Sequence, residues 1–124
     1  MPQSGGAALA SGTSPKRAKK EQIERCARNQ ILFRQVNNRV LDVADPFSAE
    51  DAADFLCECS DLECSETVSL TFEEYRSIRA EPIHFVTSPG HFEPTVDEVI
   101  GRHDRFWIVA TLPGEPSRLA EENA

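Results

Sequence analysis

The 124-residue sequence predicts an α+β fold, with one long N-terminal helix and one short helix packed on a small antiparallel sheet. Three observations predict it. Apolar residues recur at helical spacing over 19–43. A helix-capping pair stands at Thr71 and Glu74. An aromatic and β-branched run, FWIVATL, occupies 106–112.

The long helix comes first. Phe33, Val36, Val40 and Val43 repeat at intervals of 3, 4 and 3, with Ile23, Cys26 and Leu32 near the same stripe. Asp45 and Pro46 end it, because a residue before proline is pushed out of the helical region. Residues 45–54 read as a connector in which Ser48 and Asp51 cap one turn. Phe55 to Cys57 and Val68 to Leu70 read as short strands. Thr71 is the N-cap of the next helix and Glu74 its N3 residue, a reciprocal capping box; this helix stops before Pro82. Ile83 to Val86 reads as a strand, and Ser88 to His91 as a tight turn marked by Pro89 and Gly90. Val96 to Arg102 suits either a capped helix or a strand. Arg102 to Arg105 closes a hairpin onto the final strand.

Both ends look unstructured. Residues 1–20 begin with a Gly, Ser, Ala and Pro-rich stretch that has no repeating apolar face, and 113–124 reads the same way. One domain, 21–112, is left. Its roughly 90 residues form a modest core that a metal or a disulfide would usefully staple.

Net charge is −8. Lys16, Arg17, Lys19 and Lys20 cluster near the start; without them 9 basic residues face 21 acidic ones, or −12, over 21–124. An acidic body opposes nucleic acid and anionic membranes, since binding either means neutralising phosphates. The basic cluster reads as a solvated helix start, with a short DNA-binding arm as its alternative. No run approaches the ~20 apolar residues of a membrane helix. No signal peptide is legible either, so the expected location is cytoplasmic, where structural disulfides are rare.

The cysteines carry the chemistry. Cys57, Cys59 and Cys64 form a C-x-C-x4-C cluster. On an extended chain residues i and i+2 point to one side, so Cys57 and Cys59 present two sulfurs to one ion. The turn at 60–63 brings in Cys64. Zinc wants four tetrahedral ligands, commonly three cysteines and one histidine. His91, on the rigid Pro89-Gly90 turn, is the first choice for the fourth; Cys26 is the alternative, although its place on the helix stripe favours core packing. His84 and His103 read as structural or solvated. Catalytic or redox thiols compete with this reading, as do buried thiols without metal. Yet Glu58, Asp61, Glu63 and Glu66 surround the cluster and would raise thiol pKa values; a bound cation reverses that. No G-x-S-x-G elbow, Walker sequence or dinucleotide fingerprint is present.

The segments ARNQILFRQVNNRV, FLCECSDLECSETVSLTFEEYRSIR, HFVTSPGHFEP and RFWIVATL together resemble a group of small, largely uncharacterised actinobacterial proteins. That group shares an FREVN-like helix, a CEC…C cluster, L-T-x-x-E-Y and a PGH turn. The resemblance spans about residues 26–112. It implies no activity, but it links the PGH turn with the cysteine cluster and so strengthens His91. The sequence thus predicts a zinc-stapled, non-enzymatic module held by Cys57, Cys59, Cys64 and His91, acting as a regulatory or interaction domain with an unknown protein partner. A thiol-based redox or zinc-release sensor is the alternative.

Overall fold

The computed structural model describes residues 15–43 and 50–124. Eight elements follow in order: α1 (Pro15–Asp42), β1 (Ala52–Leu56), β2 (Thr67–Thr71), α2 (Phe72–Arg79), β3 (His84–Thr87), β4 (Asp97–Arg102), β5 (Trp107–Thr111) and α3 (Glu115–Glu122). The α+β class holds. Strands β1 and β2 make an antiparallel hairpin, pairing Phe55 with Val68 and Ala53 with Leu70. The second sheet has the order β3-β5-β4, also antiparallel, with Phe85 and Val99 flanking Val109. The ambiguous segment near 96–102 is therefore a strand. A bulge between Val99 and Gly101 interrupts its register and turns Ile100 outward.

The three-stranded sheet is buried on both faces, because successive strand residues point opposite ways. Val86 joins a core with Phe55, Leu70, Phe72, Tyr75, Ile78 and Phe106. Its neighbour Phe85 joins a second core with Ala27, Ile31, Val109, Leu119 and Ala120. Two buried faces need two covers. The hairpin and α2 supply one; α1 and α3 supply the other.

That requirement corrects the expected C-terminal tail. Residues 115–122 are helical, and Leu119 and Ala120 are buried. The segment is polar along most of its length, so its two anchoring residues were hidden among Glu, Ser and Arg. At the other end α1 already runs from Pro15, which corrects the disordered assignment for residues 15–20; residues 1–14 lie outside the description. So do residues 44–49, including the cap expected at Ser48; the rest of the expected connector contributes β1.

Helix α1 also presents an unexpected face. Leu32, Val36 and Val43 are exposed, while Gln30, Arg34 and Asn37 are fully buried beside Ala27 and Ile31. Polar groups are tolerated inside when they are bonded. Arg34 donates to the carbonyls of Pro82, Ala120 (2.8 Å) and Asn123 (3.1 Å), and its guanidinium lies 4.5 Å from the Phe85 ring centroid. It therefore fastens the C-terminal turn of α3 to α1 and β3. The capping box of α2 is as expected: the Glu74 amide donates to Thr71 Oγ1 at 3.0 Å and the Thr71 amide to Glu74 Oε1 at 2.8 Å. Among the described residues, no helix is long and apolar enough to cross a membrane.

Candidate metal centre

Cys57 directly follows β1, and its amide extends the hairpin by donating to the Glu66 carbonyl at 3.0 Å. The next residue crosses to the other sheet, with the Glu58 amide donating to the Val86 carbonyl at 2.7 Å. The C-E-C segment thus bridges both sheets. Asp61 then turns the chain back. Its carbonyl accepts the Cys64 amide at 3.0 Å and its side chain accepts the Glu63 amide at 2.9 Å. Asn29 of α1 holds this loop by donating to the Ser60 carbonyl at 2.7 Å.

The 88–91 turn faces the loop. The His91 amide donates to the Ser88 carbonyl at 3.0 Å, and Gly90 has a φ of 87° after Pro89. Proline at the second position and a left-handed glycine at the third are what a type II turn requires. The turn delivers two groups to the cluster. One is the Ser88 amide, which donates to Cys57 Sγ at 3.2 Å. The other is the His91 ring.

Together these elements bring the sulfurs of Cys57, Cys59 and Cys64 and a ring nitrogen of His91 within 4.8 Å of one another, a group that could hold a metal ion. His91 Nδ1 stands 3.6 Å from Cys57 Sγ and 3.6 Å from Cys64 Sγ. A tetrahedral ion with zinc-like bonds, about 2.3 Å to sulfur and about 2.0 Å to nitrogen, sets sulfur and nitrogen about 3.5 Å apart. The donors are spaced to share one ion. A two-iron cluster divides its ligands between two metal atoms, whereas these four donors all lie within 4.8 Å of one another. Cys26 stands half-buried in α1, outside the group. Neither His84, in β3, nor His103, stacked on Phe106 at 4.6 Å, belongs to it.

The thiols differ in acidity. The hydrogen bond from Cys57 pulls the Cys59 thiol down to about 5. The same bond, and burial after it, push Cys57 up. Burial pushes Cys64 up. One sulfur thus carries a ready charge, and two hold protons that a cation would expel.

Two carboxylates read as repelling neighbours have other roles. Glu66 Oε2 lies 3.5 Å from His91 Nε2, the nitrogen facing away from the sulfurs. A carboxylate behind a histidine ligand orients the ring and raises its basicity. Glu58 points away from the thiols altogether. Its Oε2 accepts from Tyr75 Oη at 2.5 Å and Asn37 Nδ2 at 2.8 Å, and its Oε1 accepts the Val86 amide at 3.0 Å. Burial pushes this carboxyl above the usual range, against the pull of those donors and of Arg34. The alternation that puts Cys57 and Cys59 on one side already implied the opposite side for Glu58. No signal in the sequence pointed to Glu66 or Ser88.

No protein-family model, curated protein or solved structure matches this chain.

Proposed function

We propose that the chain is a non-enzymatic zinc-binding module in which Cys57, Cys59, Cys64 and His91 hold a structural ion. The observation that supports this most directly is the convergence of three sulfurs and one ring nitrogen within 4.8 Å. Zinc is the ion this donor set favours, since thiolates and imidazole in a tetrahedral arrangement suit it best. Bound there, the ion would link the end of the hairpin to the 88–91 turn. All four positions would be filled by protein side chains, which describes a structural site rather than a catalytic one.

Function then comes from a surface. A regulatory or protein-interaction surface would use the outward Leu32 and Val36 of α1, one turn apart on the helix.

The deciding measurement is metal content after purification without added metal, in the wild type and in Cys59→Ser and His91→Ala. About one zinc per chain in the wild type, lost in the first variant and lost or weakened in the second, is the expected result. A folded wild type with no metal would overturn the proposal.

A further inference from the structure

Six large apolar side chains are exposed among the described residues. Leu62, Phe92 and Ile100 sit in three separate segments, but Leu32, Val36 and Val43 recur along α1 and the residue after it. At 3.6 residues per turn they share one stripe with Arg25, Arg28 and Arg39, all three also exposed. From Arg25 to Val43 the stripe runs about 27 Å, and no acidic side chain stands in it. Its arginines are largely uncommitted. Arg28 reaches Glu24 at 3.9 Å on an exposed surface. Arg25 and Arg39 have no ion-pair partner among the described residues. One flank is concave: Arg28, Asn29, Ile31, Leu32, Gln35 and Asn123 line a cavity of ≈ 320 Å³.

We infer that this face of α1 docks an acidic amphipathic helix of a partner protein. The inference rests on the reading of the chain as a module that works through a surface. Leu32, Val36 and Val43 take the partner's apolar stripe, one of whose side chains enters the cavity beside Leu32. The arginines pair with carboxylates on its flanks.

Charge sets the sign of the partner. Helix α1 holds eight basic and three acidic residues, whereas the rest of the chain holds five and 18. An acidic partner is therefore drawn to α1 and repelled elsewhere. A second copy of the chain does not fit. Arg28 and Arg39 stand almost equally far from the midpoint of Leu32 and Val36. An antiparallel pair of copies sets these arginines against each other, and a parallel pair sets each against its own counterpart. A nucleic-acid duplex does not fit either, because phosphates leave the apolar side chains between the arginines unburied.

The test uses the full chain as purified and a fluorescein-labelled helical peptide of about 18 residues, with leucine on one face and glutamate on its flanks. The controls are a peptide of the same composition with leucine scattered round the helix, a leucine-faced peptide flanked by lysine, and a short DNA duplex. Fluorescence anisotropy gives the affinities, and zinc content and urea midpoint are measured on the same samples. The expected result is that the acidic leucine-faced peptide binds at least about tenfold more tightly than any control, and more weakly as salt rises. Val36→Glu, and Arg25→Glu combined with Arg39→Glu, should each weaken it about tenfold with zinc content and urea midpoint unchanged. No binding, equal binding of a control peptide, or unchanged affinity in either variant overturns this inference and leaves the zinc module standing. Tighter binding of the duplex overturns it in favour of nucleic acid. A wild type without zinc overturns the zinc module and not the docking face.

Discussion

The two sides of the Cys57-Glu58-Cys59 segment solve the same task differently. Both tie the hairpin to the rest of the fold. On one side Cys57 and Cys59 meet Cys64 and His91, a set of donors suited to an ion. On the other side Glu58 meets Asn37, Tyr75 and the Val86 amide, and protein groups satisfy it entirely. Asn37 also donates to the Leu56 carbonyl at 2.9 Å and accepts the Leu56 amide at 2.8 Å. On the proposed reading, the face bearing the thiols depends on a bound ion and, through those thiols, on protons. The other is held by hydrogen bonds to the buried Glu58 carboxyl and needs no ion. A two-stranded hairpin is marginal alone, so such a module needs at least one of these ties under any condition, and the Glu58 face is the constant one.

Breaking the constant face has the largest expected effect. Glu58→Ala leaves the Tyr75 hydroxyl and the Val86 amide without their buried acceptor, and should cost about 3–5 kcal/mol in urea unfolding of the zinc-loaded chain. Glu58→Gln keeps the shape and one acceptor, and should cost about 1–3 kcal/mol. Zinc content decides whether the faces are independent. Full loading in Glu58→Gln means that they are; lost loading means that the carboxylate also aims the thiols.

Proton linkage separates the faces next. Metal binding expels thiol protons, so affinity rises with pH. At pH 7 Cys59, pulled to about 5, is already a thiolate, whereas Cys57 and Cys64 are pushed up and still protonated. Zinc uptake should release two protons, and affinity should fall about 100-fold, or about 2.7 kcal/mol, from pH 8 to pH 7. Titration calorimetry in buffers of different ionisation enthalpy counts the protons. Three released would mean that no sulfur is pre-ionised.

The smallest effect sharpens the metal face alone. Glu66→Gln removes the carboxylate behind His91. Because Glu66 is 59% exposed, the loss should sit at the low end for such partners, about tenfold in zinc affinity, with urea stability of the metal-free chain unchanged. Competition with a chelator of known affinity measures it. An unchanged affinity would mean that the 88–91 turn alone orients the ring.

Local signals carried much of this into the sequence. Thr71 and Glu74 announced the α2 cap because both partners lie within one turn. The β5 strand was legible in its β-branched run, and C-x-C-x4-C with the PGH turn marked the residues that converge. What α1 buries was not legible. Its exposed valine and leucine follow helical spacing as well as its buried Gln30, Arg34 and Asn37 do, and only partners distant in sequence distinguish the two faces. Gln30 finds Asp97 at 2.7 Å, and Arg34 finds the carbonyls that end α3. The helix at 115–122 was missed for the same reason, since two apolar side chains matter only once the second face of a sheet lies beneath them.

By itself, then, the sequence determined the α+β class, the capped helix, the final strand and the cluster of three thiols, because short-range spacing and backbone chemistry specify them, and it left the fourth donor open between His91 and Cys26. Tertiary structure alone decided which buried partners meet Glu58, that Glu66 backs His91, and that α3 closes the second core. Those depend on contacts between segments tens of residues apart, where a polar side chain is worth burying only if its partner is already in place.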